Sequence, residues 1–362
     1  MLSTTNITPL SKIPQFRLIG SKHSVLNHIF DVIKKEEING KTFFDVFSGS
    51  SSVSRYFKKT FSIISNDNLY FSYVLQRALI VLNEYPKFSD VRIPNLSTEK
   101  ENRINQILKF LNEIKGKEGF IARHYTPLSK NIDNIERKYF SEENGKKIDA
   151  IRETIDEWFS KKQINENEYF YLIASLLIAV QKVSNISGTY GAFNKIWDSR
   201  AKKPLTLKFI EIIPSKFEHE AFNDDSFNLA KKINCDIAYI DPPYNSRQYI
   251  ANYHLLETIA KYDNPKISGK TGIRAYTEKE KSVFCSKRFV GSSLLELLNN
   301  LKVKFIILSY NSEGLLTKKE IFKIFEESKF KKVKLYEFPY RRFKSNHNSH
   351  NNKIKEYVFV GK

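Results

Sequence analysis

The chain has 362 residues, 41% of them hydrophobic, which is enough for two or three structural units around a real core and excludes wholesale disorder. It contains no run of about 18 apolar residues and no apolar signal core near residue 1, so no membrane span is expected and a cytoplasmic location is. Lys plus Arg number 59 against 40 Asp plus Glu, and a net charge of +19 draws a protein toward polyanions, usually nucleic acid. Six basic residues face only Asp198 across residues 182–208, and ten face Glu337 and Glu356 across 329–362. Cys235 and Cys285 are far apart and lack metal-ligand neighbours, so reduced thiols are expected, with neither a disulfide framework nor a zinc site.

In chain order, Val25, Leu26, Ile29, Phe30 and Ile33 predict an amphipathic helix over 23–35. A buried strand follows over 42–47 and ends in a small-residue turn. After a helix come a strand over 61–64, ending at Asn66-Asp67, and a second helix to about 83. Strand–turn–helix units in this order predict a parallel sheet covered on both faces. The pattern stops near Pro86. Residues 86–215 are charged, aromatic and helical, with amphipathic segments over 102–114, 148–159 and 169–183, an excursion too long for a loop and expected to be a domain of its own. Alternation then resumes with a strand to Phe222, a helix from Ser226 and a strand over 236–240. A helix over 253–262, a strand over 305–308, a helix over 318–327 and strands over 334–338 and 356–360 complete it. Residues 346–352 read as a polar loop whose His347 and His350 have no carboxylate or cysteine beside them, so no metal site is expected.

Asp241-Pro242-Pro243-Tyr244 directly follows the strand over 236–240, where open α/β sheets bind ligands. Paired prolines rigidify the turn without leaving N–H groups unpaired. The Asp241 carboxylate and the Pro242 carbonyl can therefore stand as two fixed acceptors beside the Tyr244 ring, an arrangement suited to an exocyclic amine on a flat base. A second signal is residues 45–53, where small residues let a ligand approach the backbone. Asp67 lies 22 positions after Asp45, the spacing of a ribose-binding acid, yet the turn has one glycine where a nicotinamide fingerprint needs three. Tyr190, Phe193 and Lys195 sit among glycines and lysines, a composition suited to a DNA-contacting loop. Trp158 and Trp197 read as packing residues.

These residues together resemble the DNA adenine methyltransferases of the Dam-like and FokI-like group, over nearly the whole chain. Residues 17–22 (R-L-I-G-S-K) are similar to the group's N-terminal motif, 45–49 to its D-x-F-x-G cofactor turn, and 66–68 to its ribose-binding acid. Asp225-Ser226 is similar to the pair that holds the cofactor's adenine, and 241–244 to the catalytic D-P-P-Y. Residues 245–249, 308–311, 341–345, 356–359 and, within the excursion, 139–149 and 190–193 are also similar. Leu18 departs from the group's frequent aromatic, and Ser51 stands where a second glycine is common.

The resemblance implies a class I methyltransferase (Rossmann-like) α/β fold, with a seven-stranded, mostly parallel sheet whose last strand is antiparallel and an inserted, mainly helical target-recognition domain. Residues 1–85 are then the cofactor-binding half, 86–215 the insert and 216–362 the catalytic half. S-adenosyl-L-methionine is the implied cofactor, with Leu18, Lys22, Asp45, Phe47, Gly49, Asp67, Asn68, Asp225, Ser226 and Asp241 expected at it. Asp241, Pro242, Pro243 and Tyr244 are the expected catalytic residues, and Tyr190, Phe193, Lys195, Lys202, Lys203, Arg342 and Lys344 the expected DNA contacts. The implied partner is double-stranded DNA, in a restriction–modification system beside an independently acting endonuclease. On the residues alone three alternatives stay open: adenine in structured RNA, the cytosine amino group, and a non-catalytic DNA-binding subunit.

Overall fold

The computed structural model describes residues 16, 18, 20–94, 96, 99–339 and 354–362. Its strands in chain order are β1 (Thr42–Asp45), β2 (Ser62–Asn66), β3 (Glu220–Phe222), β4 (Ile237–Ile240), β5 (Ile267–Ser268), β6 (Ile273–Arg274), β7 (Phe305–Asn311), β8 (Val333–Pro339) and β9 (Lys355–Gly361). Seven of them form one sheet in the order β3-β2-β1-β4-β7-β9-β8, and β5 and β6 make a separate small hairpin. β1, β2, β3, β4 and β7 run parallel, and β9 runs antiparallel to both β7 and β8. The mostly parallel sheet with a reversed last strand is therefore as the resemblance implied.

The two-residue period of the strands divides the core. Phe43, Ile63, Ile237, Tyr239, Ile307 and Val358 point to one face, and Phe44, Ile64, Ala238, Ile240, Ile306 and Phe359 to the other. Both sets are buried, as a sheet wrapped on both faces requires. The second face is covered by helices Val290–Asn300 and Lys318–Glu327, the latter opened by a Thr317–Glu320 capping box. Between β2 and β3 the chain leaves the sheet and builds helices Lys100–Glu113, Glu142–Ser160 and Glu166–Val183. Their apolar faces join the core of the first face without a break, through Ile107, Ile148, Tyr171 and Leu177. An Asn165–Glu168 capping box starts the last of these helices, and the same Glu168 carboxylate also accepts from the Phe88 amide.

Several boundaries differ from expectation. The first helix opens as a tight 3-10 turn, Lys22–Val25, and is α-helical only over Leu26–Lys35. The helix Tyr70–Gln76 continues as a π-helical turn, Arg77–Val81, and the buried Lys58 ammonium donates to the Leu79 carbonyl within it and to the Leu82 carbonyl just past it. β7 reaches Asn311 rather than residue 308, because its end pairs with the start of β9. Among the described residues no helix is long and apolar enough to cross a membrane.

Candidate active site

β1, β2 and β4 are adjacent, and the loops beyond their carboxyl ends enclose one cavity. The strand order reverses between β1 and β4, so this is the sheet's switch point. After Asp45 the chain turns sharply: Gly49 has φ 51°, and Ser51, at φ 61°, is buried in the left-handed region that a second glycine would occupy without strain. Asp67, just past β2, holds this turn. Its Oδ2 accepts from the Gly49 amide (2.8 Å) and its Oδ1 from the Leu69 amide (2.9 Å). Burial pushes the Asp67 carboxyl up to about 6 against these bonds. Asp45 accepts from Ser54 Oγ at 2.6 Å, while its buried Oδ1 has no hydrogen-bond partner among the described residues, and burial pushes this carboxyl to about 7. Leu18, Lys22, Phe47, Asn68 and Ser226 line the same cavity, together with Asp45, Gly49, Asp67, Asp225 and Asp241. The structure thus brings every residue assigned to the cofactor into one place.

Asp241 leaves β4 at the floor of the cavity. Lys22 Nζ is 3.0 Å from its Oδ1 and 2.8 Å from Glu356 Oε1, and both Lys22 and Glu356 are buried. Ser309 Oγ donates to Glu356 at 2.7 Å. Burial alone would lower the Lys22 ammonium; Asp241 and Glu356 more than offset that and hold it well above its ordinary value. Asp241 itself is pushed up to about 7 by burial, with Lys22 pulling it down and Glu356 pushing it further up. The sequence marked Glu356 only as part of a late motif; its tie to Lys22 is a long-range contact.

Pro243 and Tyr244 line the cavity with Asp241, and Pro242 between Asp241 and Pro243 is buried. The Tyr244 ring lies 5.1 Å from Lys22 Nζ, stands edge-on to Tyr310 at 6.1 Å, and its carbonyl accepts from the Leu315 amide.

One wall was not expected from the sequence. Phe227 and Phe284 stack at 5.8 Å with rings 8° apart, and Phe47 meets Phe284 edge-on at 5.2 Å. Asp225 caps the helix Ser226–Lys232 by accepting from the Phe227 and Asn228 amides, which fixes Phe227 in that wall. Gln248 grips Ser282 on both sides, donating to its carbonyl and accepting from its amide, and so holds the segment that carries Phe284. Asn68 Nδ2 donates to the Lys279 carbonyl of that segment at 3.4 Å.

The expected DNA contacts divide. Tyr190 is corrected: it is 1% exposed, its hydroxyl is 2.9 Å from Ser184 Oγ, and its carbonyl accepts from Tyr139, so it anchors its loop from within. Phe193 is half-buried against Tyr139. Lys195, Lys202 and Lys203 are exposed. Arg342 and Lys344, like His347 and His350, lie outside the described residues. Trp158 is buried on Phe110, and Trp197 is half-buried.

A doubly covered sheet with a cavity at the switch point, acids at or just past the ends of β1, β2 and β4 and an aromatic wall beside them, defines an α/β protein whose ligand site lies where open α/β sheets bind nucleotide-type ligands. The chain belongs to the D12 class N6 adenine-specific DNA methyltransferase family, whose model matches residues 18–324. It is 41% identical over 345 residues to the type II methyltransferase M.FokI of Planomicrobium okeanokoites, which covers 95% of this chain and 52% of that protein. It is 36% identical over 348 residues to the modification methylase StsI of Streptococcus sanguinis, covering 95% of this chain and 51% of that one. The chain thus spans about half the length of these two relatives. With the type II methyltransferase M.NlaIII of Neisseria lactamica it shares 38% identity over 355 residues, 94% of this chain and 98% of the relative.

Proposed function

We propose that this chain transfers a methyl group from S-adenosyl-L-methionine to the N6 amino group of adenine at specific sites in double-stranded DNA, in the cytoplasm, as the modification half of a restriction–modification system beside an independently acting endonuclease. The observation that carries the reading is the D-P-P-Y acid, Asp241, opening into the one cavity that gathers every residue assigned to the cofactor.

The residues present fit that cofactor. Asp45 offers a buried, unpartnered oxygen to a cation, Asp67 retains lone pairs for hydroxyls, and Phe47, Phe227 and Phe284 give a base an apolar wall. Bound there, the cofactor supplies a methyl group activated on a sulfonium. The chain's own work is on the amine. An adenine amino group is a poor nucleophile because its lone pair is delocalised into the ring. Asp241 and the Pro242 carbonyl accept its two N–H bonds and localise that pair, and the fixed carboxylate stabilises the positive charge that grows on nitrogen. Tyr244 stacks on the base, which must leave the duplex to reach the cavity. The methylated nitrogen then sheds its proton readily, so no strong base is needed. Lys195, Lys202 and Lys203, with Arg342 and Lys344, take phosphates, and residues 86–215 form the target-recognition insert between the two halves, 1–85 and 216–362.

The test is Asp241→Ala against the unaltered chain, with labelled cofactor, duplex DNA and mapping of the modified base. The unaltered chain should yield N6-methyladenine, and the variant should lose at least about a hundredfold in turnover while still binding duplex DNA. A variant methylating at the unaltered rate, or an unaltered chain that modifies another base, overturns the reading.

A further inference from the structure

The loop that follows the helix Glu166–Val183 exposes an apolar side chain where a basic surface would be expected to carry polar ones. Ile196 is 84% exposed, beside exposed Lys195 and with Lys202 and Lys203 exposed a turn further on. A single exposed isoleucine means little by itself. This one stands on a built platform. Asn185, fully buried, holds both ends of the tip: its carbonyl accepts from the Asn194 amide at 2.9 Å, its Oδ1 accepts from the Asp198 amide at 2.9 Å, and its Nδ2 donates to the Asn194 carbonyl at 3.0 Å. Residues 195–197 therefore project as a short tip between two anchors set on one side chain.

The base of the loop is fixed to the cavity wall. The Tyr190 amide donates to the Asn252 carbonyl, and its own carbonyl is 2.8 Å from His254 Nε2. Asn252 ends the helix Tyr249–Asn252, and Tyr249, Ile250 and Tyr253 line the cavity. The tip thus rides on the same element that walls the site.

We infer that Ile196 is a wedge that enters the duplex beside the target adenine and fills the space the base leaves when it turns into the cavity; this rests on the function proposed above. The chemistry is that of an apolar side chain inserted into a base stack, with lysines at its flanks for the phosphates. A rigid tip suits the task, because the isoleucine loses little freedom on insertion. A protein partner would need roughly 1,000 Å² of complementary surface, and an isoleucine among lysines does not offer that. The occupant is duplex DNA.

The experiment compares Ile196→Ala and Ile196→Leu on two duplexes carrying a site mapped for the unaltered chain: one fully paired, the other with an abasic position opposite the target adenine, which leaves the base already unpaired. Ile196→Ala should slow methylation of the paired duplex by at least about tenfold and that of the abasic duplex by less than about twofold, and Ile196→Leu should restore the paired rate. An unchanged rate on the paired duplex, or equal losses on both, overturns the wedge. Failure of the unaltered chain on both duplexes instead overturns the function on which it rests.

Discussion

Tyr244 is placed by a residue that has no side chain. Gly20 lies at φ 78°, in the left-handed region, and a β-carbon there would overlap the Tyr244 hydroxyl and approach its Cζ to 3.1 Å and Cε1 to 3.2 Å. Gly20→Ala therefore carries backbone strain of about 1–2 kcal/mol and a clash that only movement of the phenol or of the chain at 20–22 relieves. The hydroxyl end must retreat by about 1 Å, and a misplacement of that size in a positioning group costs on the order of a hundredfold in rate. Tyr244→Phe removes the overlapping atom and leaves contacts that are tight but not impossible. Single-turnover transfer of labelled methyl to duplex DNA should thus fall about a hundredfold in Gly20→Ala and change little in Tyr244→Phe, since stacking uses the ring face. The double variant should recover about tenfold over Gly20→Ala, because strain and residual crowding persist. Thermal unfolding of each variant separates misplacement from misfolding. A double variant no faster than Gly20→Ala refutes the steric account.

The other predictions concern the acids. In the proposed mechanism Asp241 acts as a carboxylate, and burial raises its pKa to about 7, so turnover should fall as pH drops through about 7. Glu356→Gln removes a charge that raises Asp241 and leaves Lys22 to Asp241 alone; both effects lower its pKa, so the acid limb of the turnover–pH curve should move to lower pH while the plateau falls. A limb that stays put, or moves up, contradicts the coupling. Asp67→Ala frees the Gly49 and Leu69 amides and should weaken cofactor binding by about 1–3 kcal/mol in calorimetry; unchanged affinity would remove Asp67 from the site.

Much of this was legible because it is local. Phe43 and Phe44, or Ile63 and Ile64, announce a doubly buried strand by adjacency alone, and the helix Lys318–Glu327 has the expected bounds, its start fixed locally by a Thr317–Glu320 capping box. The helix Val290–Asn300 has no such start signal: Phe289 caps it without a side-chain bond, and Gly291, Ser292 and Ser293 interrupt the apolar run, although Val290, Leu294, Leu297 and Leu298 are buried at helical spacing. Tyr190 misled because glycines and lysines around it read as exposed, while Tyr139 and His254, which enclose it, are remote in the chain. Phe227 and Phe284 belong to no local pattern, and only the packing of the start of the helix Ser226–Lys232 against the 3-10 turn Val283–Cys285 makes them a wall.

The reversed strand matters to the chemistry as much as to the fold. β4 and β7 run parallel and finish at the edge where Asp241 begins the site. A strand parallel to them would start at the opposite edge. β9 runs the other way, so its second residue, Glu356, stands opposite Asn311 at the site's edge and is paired on its other side with Phe338. The carboxylate is thereby held by the sheet itself and not by a loop. Its charge is needed there. Lys22 and Asp241 alone would make a neutral pair, whose field at a reacting amine largely cancels. With Glu356 on its other side, Lys22 meets two carboxylates, and the ionised trio carries one net negative charge. Burying three charges is costly and is sustained only by their close pairing and by the Ser309 bond to Glu356. In return, whenever Asp241 is ionised the trio keeps a net negative charge that a simple lysine–aspartate pair could not provide, and in the function proposed above that charge stands where the amine gains a positive one.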